Sequence, residues 1–284
     1  MNIFVRVLNP ILMILTGLAA GVIVSKQRDV KWNLYGIGAL TFIASQIFHI
    51  PFNIWVLNPV LQEFTSITPQ GAALLILAVA LGLSAGFFEE TARYLVYRFG
   101  IKDAREWKDA LMFGAGHGGI EAILLGLLAF LSVLQLISLT GQDLSHIVPE
   151  DQLPLAQAQI TSFWEIPWYG VLLGTVERAI ALCFHIAASV LVLQAFQKRN
   201  VVWLLAAIGF HALLDAIAVY GFQIWGAYLT EGALAIFTLL SLGIIFLFRP
   251  KDKQQEEIPL APPTLSEIRH MDVTTDQIEE SKYA

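Results

Sequence analysis

The sequence predicts an all-α fold, a polytopic membrane bundle of about seven transmembrane helices, on three observations. Of its 284 residues 56% are hydrophobic and only 14% charged, and the mean hydropathy is +0.66; soluble domains carry roughly 25% charged residues. The apolar residues also fall into seven runs long enough to span a bilayer, which takes about 20 residues per helix. Runs this continuous suit helices, because a membrane barrel needs segments of about ten residues with alternating polarity.

The spans are read at 5–25, 34–57, 71–98, 109–138, 167–196, 201–223 and 228–248. The first resembles a signal peptide in length, but Lys26, Arg28 and Lys31 follow the apolar run and only Arg6 precedes it, so it is kept as a span. The second carries His49 beside Pro51, expected to make a helix-to-helix hydrogen bond. Gly17 with Gly21 and Gly82 with Gly86 are small residues four apart, the usual device for close packing of helices in lipid. The fourth span opens on Gly114-Ala115-Gly116-His117-Gly118-Gly119, where each glycine forfeits roughly 1 kcal/mol of helix propensity; the run predicts a broken helix or backbone open to a substrate. Cys183, the single cysteine, lies inside the fifth span as a small apolar filler and excludes a disulfide or a Cys-x-x-Cys site. The 139–166 segment, with two prolines and no periodic pattern, is expected simply to join two helices. Residues 1–249 thus form one membrane domain. Residues 250–284, rich in Glu, Gln, Pro and Thr, read as a disordered acidic tail.

Lys and Arg concentrate in alternate connections. They occur at Lys26, Arg28 and Lys31, at Arg98, Lys102, Arg105 and Lys108, at Lys198 and Arg199, and at Arg249, Lys251 and Lys253, whereas 58–70, 139–166 and 224–230 have none. The positive-inside rule then puts the N-terminus outside and the C-terminus in the cytoplasm.

Against this apolar background eight titratable groups stand in four consecutive spans: Glu89 and Glu90, His117 and Glu121, Glu177 and His185, His211 and Asp215. An acidic side chain at membrane depth costs at least about 2.5 kcal/mol on insertion scales, so such groups face a polar interior and serve a function. His117 and Glu121, His211 and Asp215, and Glu177 and His185 each share a helix face. Glu89 and Glu90 diverge by about 100°, so one of them points squarely at the centre; Glu89 precedes Arg93 by four residues, the spacing of an ion pair or supporting contact. A carboxylate beside a hydrated pocket can activate water, and histidines can donate to the oxyanion formed at a carbonyl. Alternatively, His117, His185 and His211 could hold zinc with an open position for water; no His-Glu-x-x-His motif is present.

The motifs resemble those of the intramembrane proteases that include the CAAX-processing and bacteriocin-processing enzymes and the PrsW proteases, and most closely the YhfC family. Phe87-Phe88-Glu89-Glu90-Thr91-Ala92-Arg93 is similar to the paired glutamates followed by a basic residue, with the arginine in an intermediate position. Phe113-Gly114-Ala115-Gly116-His117 fits Phe-x-x-x-His, Glu177-Arg178 to His185 resembles a third segment, and His211-Ala212-Leu213-Leu214-Asp215 matches His-x-x-x-Asn/Asp. Ala122 departs from the asparagine of the PrsW pattern. The resemblance implies that Glu89 and Glu90 include the water-activating base, assisted by His117 and His211. It further implies that His185, Asp215, Glu121 and Glu177 bind substrate or stabilise the oxyanion, with Arg93 in support. The expected activity is endopeptidase cleavage in or beside a bacterial-type plasma membrane, on a membrane protein or membrane-associated peptide, either metal-free or with zinc; no nucleic-acid partner is expected. The main alternative is a proton- or cation-coupled transporter, since buried Glu, Asp and His also make proton relays. A haem protein with paired histidines is a third.

Overall fold

The computed structural model describes residues 3–26 and 30–250, and these residues contain helices and no strand. Ten α-helices follow in order: α1 (Ile3–Ser25), α2 (Asn33–Phe52), α3 (Asn58–Ser66), α4 (Gln70–Leu95), α5 (Trp107–Leu139), α6 (Leu153–Glu165), α7 (Trp168–Val171), α8 (Leu173–Gln197), α9 (Val202–Ile224) and α10 (Gly226–Leu247). Seven continuous segments are long and apolar enough to cross a bilayer: α1, α2 with α3, α4 with its C-terminal turn to Gly100, α5, α7 with α8, α9 and α10. The fold class and the number of spans agree with the sequence reading. The tail beyond Pro250, and with it Arg28, Lys251 and Lys253, lies outside the described residues.

Two connections differ from expectation. The second span does not stop at 57: a π-helical turn at Asn53–Leu57 carries α2 into α3, and the helix ends at Ser66. Pro51 withdraws a backbone donor from the helix, and a wider turn just after it absorbs the mismatch. Pro59 lies in the first turn of α3, where a missing N–H costs little. The 139–166 segment is likewise no plain linker, because Leu153–Glu165 is helical, with Pro154 in its first turn. Arg6, buried in α1, fastens that helix by donating to the carbonyls of Trp164 (3.0 Å) and Ile166 (2.9 Å), with its guanidinium 4.7 Å from the Phe163 ring.

Helix ends at the basic side of the bundle are closed by side chains. Glu106 and Asp109 form a reciprocal capping box at the start of α5. Arg105 donates to the carbonyls of Tyr97, Ile101 and Ala104 at the end of the third span. Beneath them Tyr97, Met112, Phe113, Val190 and Leu193 make a core with no solvent exposure.

The glycines set how closely the helices approach. The Gly114–Gly119 run lies in unbroken helix, contrary to expectation, and each glycine meets a neighbour. A Cβ at Gly114 would lie 2.7 Å from the Ile186 backbone, one at Gly118 2.9 Å from the His185 side chain, and one at Gly116 would strike the Tyr35 carbonyl. Gly119 faces the Tyr35 hydroxyl, which donates to Gly17 O at 2.8 Å. Lost helix propensity is offset here by contact between backbones. Gly82 and Gly86 do the same between α4 and α9, against the carbonyls of Ala212 and Ile208. Glu89 and Glu90 are thereby drawn against His211.

Candidate active site

Four helices deliver their titratable groups to one level. Counted along each helix from the basic end, Glu89, His117, His185 and His211 lie about 14–18 Å deep. All four are buried, as are Glu90 and Arg93, which have no exposure at all.

The two adjacent glutamates turn to different neighbours. Glu89 Oε2 accepts from His117 Nε2 at 3.0 Å and lies 4.0 Å from Arg93 Nη2; its other oxygen accepts from Gln46 Nε2 at 3.0 Å. Glu90 Oε1 pairs with Arg93 Nη1 and accepts from His211 Nδ1 at 2.8 Å. The expected Glu89–Arg93 pair is therefore the looser one, and Arg93 is held chiefly by Glu90, three residues before it. His211 Nε2 faces Asp215 Oδ2 at 3.5 Å, so its ring is pinned from both sides.

His185 sits between opposite charges. Arg93 Nη2 donates to its Nδ1 at 2.7 Å, and its Nε2 rests against Glu121 Oε2. Glu121 and Glu177 each accept from Arg178, both at 2.5 Å. The rings of His117 and His185 are 5.3 Å apart, and those of His185 and His211 5.7 Å. Two guanidinium groups and three imidazoles thus face five carboxylates. In a medium that solvates charge poorly, pairing of this kind is what makes burial tolerable.

A cavity of about 100 Å³, with room for several waters, opens on this network. Glu89, His185, His211, Asp215, Glu121, Glu177 and Arg178 line it. Glu90 and His117 are not in its wall. All eight titratable residues singled out in the sequence, with Arg93, therefore meet in one connected set. Glu177 is the most peripheral, its side chain 45% exposed. His49, expected to bond between helices, instead bonds to Gln46 and Asn53 of its own segment and stacks on Phe88.

One group of metal-capable donors combines two of the three histidines with a glutamate. Glu89, His117 and His185 bring buried ligand atoms within 4.8 Å of one another. His211 is not in that group; its Nδ1 is bonded to Glu90 and its Nε2 faces Asp215. Sequence reasoning assigned no role to Arg178, Gln46 or Glu231, whose Oε2 is buried without a hydrogen-bond partner. Gln46 was legible in principle, since Gln46, His49 and Asn53 form a polar line along an otherwise apolar helix.

A curated Bacillus subtilis (strain 168) protein described as "Uncharacterized membrane protein YhfC" is 33% identical over 197 residues, covering 68% of this chain and 75% of that protein. No solved structure matches the chain. The family model described as YhfC intramembrane metalloprotease matches residues 12–237, a stretch that contains every residue of the centre. This multi-pass membrane protein belongs to the YhfC family.

Proposed function

We propose that the chain is an endopeptidase that hydrolyses a peptide bond within or beside the bilayer, with Glu89 as the base that activates water. The observation that carries the reading is that Glu89, alone of the paired glutamates, borders the cavity while being held by His117 and Gln46. A carboxylate fixed by two donors and facing a cavity that can hold water is arranged for proton abstraction. His211 and His185 line the same wall, and each would donate to the oxyanion as it forms by turning its Nε2–H from its carboxylate partner, Asp215 or Glu121, toward a carbonyl entering the cavity. Asp215 orients His211, and Glu121 orients His185. Glu90 and Arg93 form the fixed ion pair behind them. The order of the motifs also supports grouping the family with the CAAX-processing and PrsW-type proteases.

The donor set fits a divalent ion in type and spacing: one carboxylate and two imidazoles leave a position for water. Glu89, His117 and His185 would hold it, and zinc there would supply a Lewis acid that lowers the pKa of bound water. A metal-free centre is favoured by one contact. Arg93 already occupies Nδ1 of His185 while its Nε2 rests on Glu121, so ligation through His185 requires one of these to give way. Metal content of the purified protein, with chelator sensitivity of cleavage, separates the two.

By the distribution of basic residues, the centre lies toward the cytoplasmic side. Purified protein carrying Glu89→Ala, Glu90→Ala or His211→Ala should lose cleavage of a transmembrane substrate, and undiminished activity in all three would reject the assignment. Uptake into proteoliposomes that depends on Glu90 and a pH gradient would point instead to transport.

A further inference from the structure

We propose that Gln46, His49, Asn53 and Ser84 are positioning residues that fix the Glu89 carboxylate through a single chain of directed hydrogen bonds. The chain runs from Ser84 Oγ to Asn53 Oδ1 (2.7 Å), from Asn53 Nδ2 to His49 Nε2 (2.9 Å), from His49 Nδ1 to Gln46 Oε1 (3.1 Å) and from Gln46 Nε2 to Glu89 Oε1 (3.0 Å). It rests on the reading of Glu89 as the water-activating base.

The direction of every link follows from its last member. As the base, Glu89 is a carboxylate that only accepts, in keeping with the Gln46 amide nitrogen facing it and the Gln46 carbonyl facing His49. The proton of His49 is then on Nδ1, which leaves Nε2 to accept from the Asn53 amide, and Asn53 Oδ1 to accept from Ser84. Reversing Gln46 would set two acceptors together at Glu89 and two donors together at His49, and reversing Asn53 would set two acceptors together at His49, although the Ser84 hydroxyl could accept from the turned amide. The His49 ring is held in plane by Phe88, the residue before Glu89, at 5.5 Å between centroids. Gln46, His49 and Asn53 recur at three- and four-residue steps, so one face of the second span carries all three.

Stability alone does not account for such a chain. Hydrogen bonds between membrane helices contribute little on average, and apolar side chains would fill the same space. The chain is not built to conduct protons either, since two of its four links are amides, which donate without readily releasing a proton. What it does is hold Oε1 of Glu89, so that Oε2 stays on His117 and the carboxylate faces the cavity.

The test uses full-length protein in proteoliposomes with a panel of transmembrane peptides, and reads both turnover and spectra. Supporting residues of this kind typically contribute 10–100-fold, so Gln46→Leu and His49→Leu should lower kcat by about that factor with KM unchanged. His49→Gln, which can still donate and accept, should stay within about threefold of wild type. Asn53→Asp, nearly isosteric but without the amide donor, covers the case in which the leucine variants fail to fold, and should lower kcat likewise. Independently of cleavage, histidine ¹⁵N spectra should place the His49 proton on Nδ1, and the Glu89 carboxylate stretch, identified by difference from Glu89→Gln, should shift in Gln46→Leu. A proton on Nε2, an unshifted stretch, or leucine variants that turn over like wild type would overturn the proposal. Spectra as expected in a protein that cleaves no peptide would leave the positioning chain standing and refute the endopeptidase reading instead.

Discussion

Replacing Glu90 by glutamine and replacing Glu89 by glutamine should have opposite consequences, although the two residues are adjacent. Glu90 is wholly buried and touches both Arg93 and His211. Glutamine there leaves the Arg93 guanidinium, also wholly buried, without its main counter-charge. Removing one partner of a buried ion pair typically costs about 3–5 kcal/mol, which for a chain of this size corresponds to a fall in Tm of roughly 6–20 °C. Glu89 is a lesser partner of Arg93, at 4.0 Å, and glutamine at 89 can keep a contact with Gln46. Its stability cost should be small, while loss of the base should lower turnover by about 10²–10⁴. Thermal unfolding of the two variants in detergent, followed by intrinsic fluorescence, with peptide cleavage measured on the same preparations, separates these effects. A Glu89→Gln protein that is as destabilised as Glu90→Gln, or a Glu90→Gln protein that melts with wild type, would refute the assignment of structural and chemical roles to the two glutamates.

Three further outcomes are expected. Gly116→Ala should destabilise the bundle by about 1–3 kcal/mol, because a Cβ there strikes the Tyr35 backbone; the unfolding midpoint reads this directly, with Gly36→Ala, whose Cβ meets open space, as the control. Arg6→Ala should free the end of α6, so limited proteolysis between residues 141 and 167 should accelerate while the helical core stays intact. Arg178→Ala leaves Glu121 and Glu177 without their shared partner in the cavity wall and should raise KM more than it lowers kcat, as steady-state cleavage would reveal.

The spans and the centre were legible in the sequence for the same reason: in a chain so apolar, a buried charge is conspicuous. Helical phase then predicted which of those charges share a face, as with His117 and Glu121. What could not be read was how the helices turn toward one another. Whether Glu89 or Glu90 meets His211 depends on the rotation of α4, and that is set by Gly82 and Gly86 seating against carbonyls of α9. The same rotation brings Glu89, rather than His211, into one group with His117 and His185. The glycine run of α5 was misread because low helix propensity looks the same whether a helix breaks or packs tightly on three sides. The ends of the second span and the helix at 153–165 were missed because proline marks the first turn of a helix as readily as its end.

Cleavage in ¹⁸O-labelled water tests the central claim most directly. Wild-type protein reconstituted with a transmembrane peptide panel should yield paired fragments, the N-terminal one carrying a single ¹⁸O in its new carboxyl group, and Glu89→Gln should yield none above background. Intact peptides with the wild-type protein, or equal label incorporation by Glu89→Gln, would contradict the account.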